Sequence, residues 1–142
     1  MGDADVLTRM LHALDARDWD IVRASFADEL GMDYTSLWGG EPGTVRADDL
    51  VAEWSAFGGG FTATQHLTGP VLTVGDRLHT HVVAHHWLRD APGGDSWVVY
   101  GHYTVRVENG RIAEITLRTF YQEGNRDLPG IVRERVVEAS GG

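Results

Sequence analysis

Residues 77–89 read RLHTHVVAHHWLR, Arg77 to Arg89. Successive side chains of a strand point to opposite faces, so this run divides in two. Leu78, Thr80, Val82, Ala84, His86 and Leu88 share one face. Arg77, His79, His81, Val83, His85, Trp87 and Arg89 share the other. The first set is the apolar one, so the stretch reads as a long strand of a sheet with one buried face, and it carries a histidine on that face. His85, its neighbour on the more polar face, is the runner-up for an inward role.

Outward from this strand the pattern holds. Strands are expected over 63–74, 77–89, 96–108 and 111–121, joined at Gly75-Asp76, at Pro92-Gly93-Gly94-Asp95 and at the hairpin dipeptide Asn109-Gly110. Before Phe61 the period is 3.6 instead of 2. Leu7, Met10, Leu11 and Leu14 form the apolar stripe of a first helix over 5–17. A short helix is expected from Asp18 through Phe26, with Trp19, Val22 and Phe26 inward, then an extended segment near Gly31–Leu37 and a turn at 39–43. A third helix over 46–57 presents Leu50, Val51, Trp54 and Phe57, and the Gly58–Gly60 run stops it. From Gln122 the chain turns polar, with a short helix at 129–138 and a loose Ser-Gly-Gly end.

Helices first and an antiparallel meander second predict an α+β domain over 1–142, with its core at about 5–121 and 122–142 as a polar tail. The expected shape is a cone of curved sheet capped by the N-terminal helices, with a pocket inside. The chain has 42% hydrophobic residues, no cysteine and a net charge of −9. These values point away from disulfides, thiolate chemistry and nucleic-acid or anionic-membrane partners. With no bilayer-length apolar window and no signal-like N-terminus in MGDADVLTRM, a cytoplasmic protein is expected. Neither a dinucleotide fingerprint nor a P-loop occurs, and no cofactor is expected.

Asp15 continues the buried stripe of the first helix, where a carboxylate is costly unless paired. It reads either as a cap for the following helix or as the partner of His86 in an Asp–His dyad, and Asp18 is the better cap. Tyr34 offers a phenol that donates without ionising near neutral pH, or simply fills the core. His66 follows Thr64-Gln65 at a strand start, a place that tolerates polar residues and could equally aim one inward. His79 and His81 have a spacing that can share a metal, but His85 lies roughly 13 Å beyond His81 at about 3.3 Å per residue. No third ligand presents itself, so no metal is expected. His12 and His102 read as structural or solvated.

The ordered set Leu14-Asp15-Ala16-Arg17-Asp18-Trp19-Asp20, Met32-Asp33-Tyr34, Thr64-Gln65-His66, Ala84-His85-His86 and Gly101-His102 resembles scytalone dehydratase. More broadly it is similar to the SnoaL-like group of the nuclear-transport-factor-2-like superfamily, over about residues 5–121. The resemblance implies a helix-capped cone and a pocket with two histidines, one backed by an aspartate. By position these are His66, His86 and Asp15, with Tyr34 as one of the family's two tyrosines. Leu14 stands at the second tyrosine, and Val105 and Val107 replace a serine and an asparagine, while Tyr103 can supply a polar group. The expected catalytic set is His66, His86, Asp15 and Tyr34, lined by Leu14, Trp54, Val82, Tyr103 and Val105.

The implied activity is a cofactor-independent dehydratase, isomerase or polyketide cyclase acting on a small apolar polyketide-like or aromatic molecule. A binding protein of the same fold is the alternative, and a pure oligomerisation module a third reading. A homo-oligomer, dimer or trimer, is expected, because Val83, Trp87 and Trp97 would otherwise expose apolar surface on the convex face.

Overall fold

The computed structural model describes residues 1–141. Helix α1 (Asp3–Ala16) buries Val6, Leu7, Met10, Leu11 and Ala13. It ends where Arg17 turns left-handed at φ 59°. The Asp18 carboxylate then accepts from the backbone N–H of Ile21 at 3.3 Å, capping α2 (Trp19–Ala24). That settles the cap in favour of Asp18 and leaves Asp15 for another partner.

The chain continues through β1 (Phe26–Asp33), the single turn α3 (Thr35–Trp38), β2 (Gly43–Arg46) and α4 (Ala47–Gly58). Next come β3 (Ala63–Thr68), β4 (Leu72–Val74), β5 (Arg77–Trp87), β6 (Ser96–Glu108), β7 (Arg111–Gly124) and α5 (Leu128–Gly141). Six strands form one unclosed curved sheet in the order β2-β1-β7-β6-β5-β3, and β4 pairs with the other half of β5. Every pairing is antiparallel except β1 with β7, which the expected meander did not include.

Curvature comes from β6 and β7. Their connecting Asn109 and Gly110 have φ of 53° and 74°, the left-handed pair that a tight hairpin requires. Two bulges break the register, at Tyr100/Gly101 and at Arg106/Val107. At the first, a Cβ on Gly101 would meet the Arg118 carbonyl oxygen at 2.6 Å, so only glycine lets the strands approach there.

Several expectations need correction. The strand over 63–74 is two strands, because Gly69-Pro70 interrupts it and proline has no N–H to give the ladder. The second helix ends at Ala24, and Phe26 already belongs to β1. The extended run expected near 31–37 is the end of β1 followed by the helical turn α3, and the turn at 39–43 leads into the edge strand β2. Trp97 is 1% exposed on the inner face, opposite His86 in the β5–β6 register, and does not belong to the convex surface. Val105 is fully buried in the core, beyond the cavity lining. The C-terminal segment is no loose tail. Helix α5 buries Leu128, Pro129 and Val132 against α4 and the core, and of the expected Ser-Gly-Gly end Ser140 and Gly141 are helical while Gly142 lies outside the described residues.

Candidate active site

The concave face of the sheet and the helices over it enclose a cavity of about 370 Å³. Leu14, Trp54, Phe57, Phe61, Val82 and Leu117 supply much of its apolar wall. Its polar lining comprises His66, His86, Thr64, Tyr34 and Tyr103, with Thr35, Glu41, Glu53 and Arg133 completing it. Of the residues expected there, only Asp15 and Val105 fall outside the lining. Asp15 stands directly behind His66 and opens to an outer groove beside His12 and His85.

The two inward histidines lie on neighbouring strands, β3 and β5, with ring centroids 6.0 Å apart and planes crossed at 81°. Asp15 pairs with His66, not with His86. Its Oδ1 accepts the His66 Nδ1 proton at 2.7 Å, and its Oδ2 accepts the backbone N–H of His66 at 2.7 Å. Thr64 Oγ1 donates to Oδ1 at 2.9 Å. The helix pattern assigned Asp15 the right face, but α1 crosses β3, the terminal strand, and the carboxylate meets that strand first. Burial works against ionising Asp15, yet the hydrogen bonds it accepts from the His66 ring, the His66 backbone N–H and Thr64 together hold its pKa below the ordinary value.

His86 is held differently. Its Nδ1 donates to the Trp97 carbonyl at 3.1 Å. Its ring stacks on Trp97 at 4.3 Å and sits 5.0 Å from Phe61. Burial, with a smaller push from His66, lowers its pKa to about 3. His86 is therefore neutral across the physiological range, and with Nδ1 committed its Nε2 is a hydrogen-bond acceptor. His85 is exposed and faces Ser96 at 3.3 Å, outside the cavity.

Tyr34 packs beside Trp54, ring centroids 6.3 Å apart, and its phenol neighbours that of Tyr103. Burial raises the pKa of Tyr103 to about 12, and burial with the Tyr103 contact raises Tyr34 well above its usual value. Both hydroxyls stay protonated and can donate. The second phenol comes from β6 and not from the Leu14 position.

Sequence reasoning missed Thr64, Trp97 and Arg133. Thr64 shares the parity of His66, and Trp97 that of Tyr103, so alternation carried a signal for both. Arg133 lies on α5, whose polar sequence gave none. On the convex face, His102 stands between His79 and His81, with ring centroids 5.4 and 5.6 Å away. Among the described residues no three His, Asp or Glu side chains converge as a metal site would require.

A family model described as a SnoaL-like domain matches residues 4–111. The chain belongs to the SnoaL-like family. Its fold is that of the nuclear-transport-factor-2-like superfamily, and the matched span contains Asp15, Tyr34, His66, His86 and Tyr103. A solved protein from Kribbella flavida is 30% identical over 92% of this chain and 94% of its own, with a TM-score of 0.75. A protein from Novosphingobium aromaticivorans assigned as a scytalone dehydratase is 17% identical over 87% of this chain and 85% of its own, TM-score 0.68. An LEH-like epoxide hydrolase from M. tuberculosis is 15% identical over 96% of this chain and 92% of its own, TM-score 0.66. At those two identities the likeness is one of fold. Comparison with curated proteins finds no match. The fold thus carries proteins assigned to different reactions, and function must be argued from the site. No described helix is long and apolar enough to cross a membrane.

Proposed function

We propose that this SnoaL-like protein is a cofactor-independent acid–base enzyme that enolises a small, mostly apolar carbonyl compound. The observation that supports it is the Asp15–His66 pair, 2.7 Å apart, set beside an apolar cavity that also holds a neutral His86 and two protonated phenols.

His66 gives Nδ1–H to Asp15 and keeps Nε2 for the substrate. Nε2 takes a proton from the carbon next to the carbonyl, and Asp15 stabilises the imidazolium that results. Tyr34 and Tyr103 donate to the carbonyl oxygen, where negative charge grows. His86 Nε2 accepts from a substrate hydroxyl and orients it. The imidazolium then returns its proton. Delivered to a β-hydroxyl, it breaks the C–O bond, releases water and leaves a double bond. Delivered to another carbon, it moves the double bond. Ring closure begins from the same enolate, attacking a second carbonyl. One proton carrier serves all three, because His86 is too weak a base to share the work.

The test follows the first step alone. Small cyclic ketones incubated with the protein in deuterium oxide are expected to exchange their α-protons faster than in buffer, read by proton NMR. His66→Gln is expected to lower that rate by about 10²–10⁴-fold, the usual contribution of positioned proton transfer. Ketones that bind, shown by shifts of the cavity tryptophan signals, without any exchange above buffer would replace the enzyme with a small-molecule-binding protein.

A further inference from the structure

The mouth of the cavity carries a cation that the proposed chemistry does not use. Arg133 extends from α5 to the rim, its guanidinium carbon 4.7 Å from the Trp38 ring centroid and 4.6 Å from that of Phe57. Both rings line the cavity. From Trp38 the aromatic wall runs inward to Trp97 at 5.8 Å, and Trp97 stacks on His86 at 4.3 Å. From Phe57 it runs to Phe61 at 5.2 Å, and Phe61 lies 5.0 Å from His86. Two ring paths therefore join the guanidinium to the histidine end.

Aromatic contact covers the faces of a guanidinium and leaves its in-plane N–H donors available. Among the described residues no side chain or carbonyl accepts from those donors. Arg23 and Arg106, by contrast, are each held by two carboxylates. Glu41 and Glu53 share the rim but do not approach Arg133 as ion pairs. They also limit what can dock. One guanidinium balances a single negative charge, and a dianion would place its second charge among the two glutamates. The matched family span ends at residue 111, before α5 begins. The family match therefore does not extend to Arg133.

We infer that Arg133 binds a carboxylate of the substrate, so that the cavity takes an apolar carboxylic acid. Its acidic end stays at the mouth against the planar donors of Arg133, and its carbonyl or hydroxyl end reaches His66 and His86. The inference rests on reading the cavity as a substrate site, and it deepens that reading by naming the substrate class.

The experiment compares trans-cinnamate with trans-cinnamamide, which share a planar apolar body and differ in charge. Each is titrated into the full chain at low salt, with affinity and the Trp38 and Trp97 indole signals followed by NMR. Cinnamate is expected to bind about tenfold more tightly, the size of one hydrogen bond to a charged group. Arg133→Gln is expected to bring the two affinities together, and Arg133→Lys to keep part of the difference. Arg133 lies on the exposed side of α5, and circular dichroism checks that both variants fold.

Equal affinities in the native protein, or a preference that survives Arg133→Gln, overturn the inference. If the indole signals still move in either case, the cavity remains a ligand site. A cinnamate preference together with no α-proton exchange on any ketone has the opposite meaning: the carboxylate contact stands and the acid–base reading falls. Binding of neither probe overturns the inference with its premise.

Discussion

His66 and His86, on the concave face, each commit Nδ1 to a fixed acceptor: the Asp15 carboxylate for one, the Trp97 carbonyl for the other. On the convex face His79, His81 and His102 have mainly one another, with a single long contact from Thr104 to His79 at 3.3 Å. All five come from β3, β5 and β6. What separates the groups is the environment each pleat direction meets. The inner rings are anchored on one side and face an apolar cavity on the other, which fixes the tautomer and gives the free nitrogen a direction. The outer rings are partly solvated. His102 has its pKa lowered by burial and by His79, His81 and Arg118, and it has no carboxylate to oppose this.

The same contrast extends to the aromatic residues. Trp97 is 1% exposed within the inner wall, whereas Tyr121, stacked on Tyr100 at 4.3 Å on the outer face, is 54% exposed. Replacing Trp97 by alanine is expected to cost about 3–5 kcal/mol in urea unfolding, as for other large core side chains. Tyr121→Ala is expected to cost about 1 kcal/mol, the worth of its stack. Comparable costs for the two would erase the distinction between the faces.

A second effect depends on pH. Unfolded His86 takes a proton below about 6.5, but the folded chain resists doing so until about 3. Native stability is therefore expected to fall as pH drops through this window, by up to about 1.4 kcal/mol per pH unit. Asp15 acts in the same direction further down. Its lowered pKa stabilises the fold above 3.8, and that contribution is lost as pH falls through its folded value. Unfolding midpoints measured against pH should show a shallower slope between 6.5 and 3 in His86→Gln. Because the His102 pKa is also lowered, His102→Gln should flatten the slope too, but less than His86→Gln, and an equal flattening would mean that the outer cluster shares the burden.

The smallest change sharpens the inner face alone. Thr64→Val removes one of three donors to Asp15 and is expected to cost about 1 kcal/mol. A cost indistinguishable from zero would mean that the two His66 contacts hold the carboxylate unaided.

Much of this was legible from alternation. The 77–89 run assigned His86 inward and His85 outward, and Tyr103 placed a phenol on the same wall. Residue parity names a face, however, and says nothing of which element lies over it. Asp15 was accordingly given to His86, although α1 crosses β3 and reaches His66. Trp97 has the parity of Tyr103 and was nonetheless assigned to the convex surface. The early strands escaped for a different reason. The register of β1 slips between Phe26 and Gly31, which breaks strict alternation, and β2 is a mostly exposed edge strand. Arg133 needed the packing of α5 to be known, because its reach to the mouth depends on how Leu128 and Val132 seat that helix.

The bond from the His66 backbone N–H to Asp15 has a consequence for how copies of the chain meet one another. β3 is the last strand on its side of the sheet, and its outer face presents the exposed Leu67. A bare terminal strand of this kind is a template on which another chain can add by hydrogen bonding. Asp15 occupies one of its donors and places a negative charge beside it, so an approaching strand loses a pairing site. The carboxylate that positions the histidine also keeps the sheet from growing, and a chain without it would be prone to self-assembly at that edge even with its cavity intact.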